Sequence, residues 1–235
     1  ESSTVGTIAE DSNRNLWIGL NKGGLVKFNI DQELFEHFSQ VNGVNSTILT
    51  DNLGYRGVIL DPQQSVWVLT RKGISKLPFS SQKIREWTNV DKKSCRPHAL
   101  HKSQQGLLFA CSQRLYRLEN GQVEHVANFD ERLFSIFQAD ASTIWLGTLG
   151  KGIYKYSLLT GKSKRYDLNL PGLDNKRTNT VKRLRTDVAG DLYGVSLNHP
   201  ASDGYGILRY NAEKDSFDNF ATGFEFTDYL DVNKD

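Results

Sequence analysis

Leu16-Trp17-Ile18-Gly19-Leu20 decides how this chain is read, because the chain returns to it. Val66-Trp67-Val68-Leu69-Thr70 and Ile144-Trp145-Leu146-Gly147-Thr148 are close copies. Leu107-Leu108-Phe109-Ala110-Cys111 and Leu192-Tyr193-Gly194-Val195-Ser196 are degenerate ones. Taking Trp17, Trp67, Leu108, Trp145 and Tyr193 as one position gives spacings of 50, 41, 37 and 48 residues. Periods of that size mean arrays of small units stacked on one another.

The flanks repeat as well. Asp11, Asp61 and Asp187 stand six residues before the repeat position, and Asp140 stands five before it. A second string follows, with Gly, aliphatic, any residue, basic and apolar in turn. Its copies are Gly24-Leu25-Val26-Lys27-Phe28, Gly73-Ile74-Ser75-Lys76-Leu77, Gly152-Ile153-Tyr154-Lys155-Tyr156 and Gly206-Ile207-Leu208-Arg209-Tyr210. Arg114-Leu115-Tyr116-Arg117-Leu118 is the copy without Gly. Shorter strings such as Phe35-Glu36-His37-Phe38 and Phe217-Asp218-Asn219-Phe220 come next. Alternating apolar and polar residues between turn residues read as strands.

Each repeat therefore holds four strands, and four antiparallel strands at this period make the blades of an all-β propeller. The expected blades are residues 4–38, 55–87, 96–126, 133–166 and 181–220, with 226–235 as the first strand of a sixth. The chain is read as one β-propeller domain over 1–235, part of a larger propeller. Trp on the second strand is large enough to fill the space between wedge-shaped sheets. The Asp before it can accept hydrogen bonds from backbone N–H groups in the turn. Gly opening the third strand permits the positive φ of a short hairpin. Both residue series are structural in this reading, not catalytic.

Composition narrows the class. The 235 residues are 38% hydrophobic and 24% charged, which suits a globular protein with a sizeable core. A net charge of +2 gives no reason to expect a nucleic-acid partner. No apolar run reaches the roughly 18 residues of a membrane helix. Cys95 and Cys111 flank one hairpin and fall on opposite faces if it turns near Gln104-Gln105, so they are expected not to be bonded. Cys111 is read instead as a small packed residue at the position of Leu20, Thr70, Thr148 and Ser196.

Residues 10–20 with Gly24 to Asn29, and Asp140 to Thr148 with Gly152 to Tyr156, resemble the two-component regulator propeller repeat. The resemblance spans the chain and is weakest in the third repeat, which lacks the Trp, Asp and Gly. It implies a seven-bladed propeller in the periplasmic sensor of a bacterial membrane receptor. Downstream it implies an immunoglobulin-like domain, a membrane helix and a kinase, cyclase or regulator module, in a homodimeric protein. It supplies no catalytic residues and no cofactor, so the chain is expected not to be an enzyme.

Site residues come from the loops. In a propeller, the turns between strands two and three share a face with the connections between blades, and functional contacts collect on such loops. Basic residues dominate that face here. Lys22, Arg71, Lys72, Arg114 and Lys151 lie on the hairpins, and Arg56 and Arg96 lie near the ends of first strands. Several converging cations would attract an acidic oligosaccharide or other small anion, with Tyr205 stacking on a sugar. The plain alternative is a set of solvated loop charges. The five His show no metal-ligand spacing, and no metal is expected. Two other classes stand beside sensing. One is a propeller enzyme, sialidase-like through the Asp-turn-Trp string or streptogramin-lyase-like through His98 and His199. The other is a protein-binding scaffold, for which the Gly-His and Trp-Asp signatures are missing.

Overall fold

Short-range hairpins build the protein. A computed structural model describes residues 4–39, 53–78, 85–87, 89–90, 93–95, 97–103, 106–168, 179–197 and 205–224. Among them there is no helix, and the strands form five four-stranded antiparallel sheets, each in sequence order. Sheet 1 is β1 (Val5–Glu10), β2 (Asn15–Leu20), β3 (Leu25–Asn29) and β4 (Leu34–Phe38). Sheet 2 is β5 (Leu53–Leu60), β6 (Val66–Thr70), β7 (Gly73–Leu77) and β8 (Arg85–Trp87). A hairpin of β9 (Asn89–Val90) and β10 (Lys93–Ser94), not foreseen in the sequence, precedes sheet 3. Sheet 3 is β11 (Pro97–Ser103), β12 (Gly106–Cys111), β13 (Arg114–Glu119) and β14 (Gln122–Asn128). Sheet 4 is β15 (Leu133–Gln138), β16 (Thr143–Thr148), β17 (Ile153–Ser157) and β18 (Ser163–Tyr166). Sheet 5 is β19 (Thr180–Thr186), β20 (Leu192–Leu197), β21 (Tyr205–Asn211) and β22 (Ser216–Phe224). These are propeller-type blades at the expected positions. The expected sixth strand, 226–235, lies outside the described residues.

The chain forms two compact units, Glu1–Ser112 with Arg117–His125, and Gln113–Tyr116 with Val126–Asp235. In each, the core lies between successive sheets. In the first unit Trp17 and Leu25 of sheet 1 meet Leu53, Val58, Val66, Val68 and Leu77 of sheet 2. In the second, Trp145, Ile153 and Tyr166 of sheet 4 meet Val181, Leu184, Leu192 and Leu208 of sheet 5. The Gly two residues after Trp17 and after Trp145 is a consequence of this packing. A Cβ on Gly19 would stand 3.1 Å from Val58 Cγ2, and one on Gly147 would stand 2.5 Å from the Val181 carbonyl oxygen. Trp fills the interface while Gly lets the next sheet's first strand come close.

Every first strand carries a register shift at its start: between Val5 and Thr7, Leu53 and Val58, Pro97 and Ala99, Leu133 and Ser135, and Val181 and Arg183. A bulge of one residue exchanges the faces of everything before it. That exchange corrects the cysteine expectation: Cys95 and Cys111 form a disulfide, with Cα atoms 5.5 Å apart. In unbroken pairing His98 would oppose Cys111 and leave Cys95 on the other face. With the bulge Pro97 opposes Cys111, so Cys95, two residues earlier, shares its face.

Candidate functional site

The repeat's polar residues form one motif, met several times. The Asp11 carboxylate accepts from Asn13 N–H (2.9 Å), Asn15 N–H (3.0 Å) and the Trp17 indole N–H (2.8 Å). The Asp61 carboxylate accepts from Ser65 N–H (2.8 Å) and the Trp67 indole (2.9 Å), and Lys76 Nζ stands 3.0 Å away. Asp140, in the shorter turn, takes Ser142 N–H and Thr143 N–H instead. The backbone bonds were legible in the sequence; the indole bonds were not. Across the sheet the third-strand base pairs with the aromatic: Trp17 with Lys27, Trp67 with Lys76, Trp145 with Lys155 and Tyr193 with Arg209. The cations lie over these rings at 5.7, 4.7, 5.1 and 5.9 Å.

Titration follows from these contacts. Burial pushes the Asp11 carboxyl up, but hydrogen bonds from Asn15, Trp17 and Asn13 outweigh it and leave it below its ordinary value. Asp61 is lowered in the same way, burial being overcome by Trp67, Lys76 and Ser65. These carboxylates are ionised and fully engaged, which suits a structural part and not a general acid.

Five of the candidate ligand residues lie at or beside hairpin turns of the described structure. Lys22, Arg71 and Lys72 lie on the β2–β3 and β6–β7 turns of the first unit; Arg114 opens β13 directly after the β12–β13 turn, Lys151 lies on the β16–β17 turn, and both belong to the second. Hydroxyl clamps hold the β6–β7 and β16–β17 turns. Thr70 Oγ1 donates to the Gly73 carbonyl (3.0 Å) and accepts from Lys72 N–H (3.2 Å). Thr148 Oγ1 donates to the Gly152 carbonyl (2.9 Å) and accepts from Lys151 N–H (3.1 Å). Arg71 and Lys72 are exposed, whereas Lys151 and Arg114 are half-buried, the Arg114 guanidinium 5.6 Å from the Tyr116 ring centre. The grouping is one of equivalent turns, distributed over both units. Arg96 and the side chains of Arg56 and Tyr205 lie outside the described residues. The bulges add His98, Phe134 and Lys182, which the register skips; a two-against-one count leaves no trace in composition. Among the described residues, no three His, Cys, Asp or Glu side chains are grouped to hold a metal ion.

A second polar cluster went unseen in the sequence. Asp215, at the β21–β22 turn, accepts from Tyr166 OH (2.6 Å) and Tyr210 OH (2.7 Å) and pairs with Lys164. The two Tyr rings enclose Trp145 together with Phe217. Lys164 and the two phenols hold the Asp215 carboxyl well below the usual range. Burial, then Asp215, pushes the Tyr166 phenol well above its own.

The geometry defines an all-β chain of propeller-type sheets with clamped, base-bearing hairpins. No protein-family profile matches the sequence, and no curated protein matches it. Solved structures do match by fold. The extracellular domain assigned to the hybrid two component system BT3049 of B. thetaiotaomicron has a TM-score of 0.73 at 19% identity, over 93% of this chain and 30% of that one. The extracellular domain assigned to the one component system BT4673 of the same organism has 0.72 at 15%, over 94% and 31%. An ancestral GH74 enzyme has 0.66 at 16%, over 94% and 32%. The chain thus spans under a third of the length of each of these chains, and the likeness establishes the propeller-type fold.

Proposed function

We propose that this chain is the ligand-recognising part, outside the cytoplasm, of a bacterial membrane-bound signalling receptor. The observation that carries the reading is the fold shared with extracellular domains of a hybrid and a one component system. The Cys95–Cys111 disulfide supports it independently, since such bonds persist in oxidising compartments; in a bacterium of this architecture that compartment is the periplasm. The chain itself performs no catalysis, needs no cofactor and passes a signal to immunoglobulin-like, membrane and output domains of a homodimeric protein. Its ligand is an acidic oligosaccharide or another small anion, taken up by the basic hairpins. Arg provides paired donors for a carboxylate or sulfate, and exposed single pairs give only about 0–1 kcal/mol, so several must converge.

The test is calorimetric titration with sulfated, uronate and neutral oligosaccharides at low and high ionic strength. Binding of acidic glycans alone, weakened by salt and reduced in an Arg71→Ala/Lys72→Ala double variant, supports the proposal. Salt-independent binding unaffected by that variant removes these turns from consideration. The likeness to a GH74 enzyme keeps an enzymatic alternative in view. Product release from any of these glycans by the purified chain would establish it and overturn the sensor reading.

A further inference from the structure

The turn between β13 and β14 holds two residues whose chemistry the fold leaves open. β13 ends at Glu119 and β14 begins at Gln122, so Asn120 and Gly121 make the whole turn. Their φ angles are 51° and 82°, the two positive values of a type I′ hairpin, for which Asn-Gly is a favoured pair. Both residues are exposed. A Cβ placed on Gly121 would meet nothing within 4 Å, so no atom crowds the side where a side chain would stand. Other Asn side chains are held. Asn15 Nδ2 donates to Asp11, Asn29 Nδ2 donates to Asn15 Oδ1, Asn179 Oδ1 accepts from Leu168 N–H, and Asn211 Nδ2 donates to Asp218. Each of these stands before a residue with a side chain, whereas Asn120 stands before Gly. The sequence has one further Asn-Gly, Asn42-Gly43, which lies outside the described residues.

We propose that Asn120 is a site of spontaneous covalent modification, deamidation through a cyclic imide. The Gly121 nitrogen attacks the side-chain carbonyl carbon of Asn120. The new N–Cγ bond closes a succinimide ring, the Cγ–Nδ2 bond breaks, and ammonia leaves with the proton of the Gly121 amide. Water is the only co-reactant, and it opens the ring in one of two ways. Cleavage of the N–Cγ bond leaves Asp. Cleavage of the bond to the main-chain carbonyl leaves an isoaspartyl link, in which the backbone runs through Cγ. No oxidant or reductant takes part. Closure requires rotation of Asn120 about its Cα–C bond, out of the hairpin conformation. Exposed turn tips open at small cost, and Gly121, without a Cβ, opposes the ring least.

The modified turn is joined to the neighbouring sheet. Trp87, on the outer strand of sheet 2, donates its indole N–H to the Gly121 carbonyl at 3.2 Å. The Trp87 ring stacks on Trp67, ring centres 5.4 Å apart. An isoaspartyl link adds a methylene to the main chain just before Gly121. The tight two-residue turn cannot keep its geometry, and the Gly121 carbonyl moves away from the indole. Only this exposed hydrogen bond is lost, so the chain stays folded and the change is local. None of this depends on what the protein binds.

Incubation of the folded chain at mildly alkaline pH, followed by tryptic digestion and mass spectrometry, tests the proposal. The peptide Leu118–Arg132 contains both Asn120 and Asn128, which stands before Phe129, so every molecule carries its own control. The expected result is replacement of –NH2 by –OH at Asn120, as Asp and isoaspartyl forms, several-fold faster than at Asn128. The separated isoaspartyl protein should exchange its Trp87 indole proton faster than fresh protein. An Asn120→Gly variant, which keeps a residue suited to positive φ, should show the same Trp87 exchange before and after incubation. Equal rates at Asn120 and Asn128 overturn the proposal. So does product that forms in urea-unfolded chain but not in folded chain, since the hairpin then holds the site closed. Trp87 exchange identical in the isoaspartyl and fresh proteins overturns the coupling to sheet 2.

Discussion

Replacing Gly147 by Ala probes the closeness of the sheets most directly. The added Cβ would lie 2.3 Å from Ser135 Oγ, 2.5 Å from the Val181 carbonyl oxygen and 3.1 Å from Val181 Cβ. The Ser135 hydroxyl ends a short side chain and can turn away. The Val181 oxygen is backbone of β19 and moves only if the first strand of sheet 5 moves. Overpacking of this kind costs about 1–3 kcal/mol. The Ala also stiffens the unfolded chain, which returns about 0.4–1 kcal/mol. A net loss of about 1–2 kcal/mol lowers the melting temperature by about 2–8 °C for a domain of this size. Gly194→Ala is the control, because its Cβ would press only on the flexible end of Leu184, at 3.3 Å, with Val181 Cγ1 at 3.5 Å and the Arg183 carbonyl oxygen at 3.6 Å in ordinary contact; its expected change is within about 1 kcal/mol. Thermal and urea unfolding followed by tryptophan fluorescence measure both. A Gly147→Ala protein as stable as wild type, or a Gly194→Ala protein equally weakened, would refute the packing argument.

Asp61→Ala deprives Ser65 N–H and the Trp67 indole of their acceptor and is expected to cost about 1–3 kcal/mol by urea unfolding. Because the Asp11 and Asp61 carboxyls lie below their ordinary value in the folded state, their stabilisation is present above about pH 4 and fades as pH falls through the folded values; Asp61→Asn should flatten this acid limb of the stability curve. Tyr166 is raised by burial and by Asp215, so its stabilisation is full below about pH 10 and declines above it; Asp215→Asn should bring phenolate formation to lower pH in an ultraviolet titration. Reducing the Cys95–Cys111 bond, which closes a loop with a sequence separation of 16, should lower stability by about 3 kcal/mol, and calorimetry with and without reductant reads the difference.

The strands, their order in each sheet and the Asp turns were readable in the sequence because they rest on neighbours close along the chain. Period-two alternation marks a strand, and Asp11 reaches Asn13 and Asn15 within its own turn. The base of the second string was visible as a recurring residue, but its seat over the aromatic needed the cross-strand register that pairs Trp67 with Lys76. Tertiary structure alone decided the faces. The bulge beside Pro97 adds one residue to a count of two, which composition does not record, yet it turns Cys95 toward Cys111. It likewise took assembled sheets to show that Gly19 and Gly147 are there for the strand of the next sheet, and that the Tyr166 and Tyr210 phenols meet at Asp215. Local pattern sets what a strand is, whereas burial is set by residues far away in the chain, and a single sequence carries no measure of that distance.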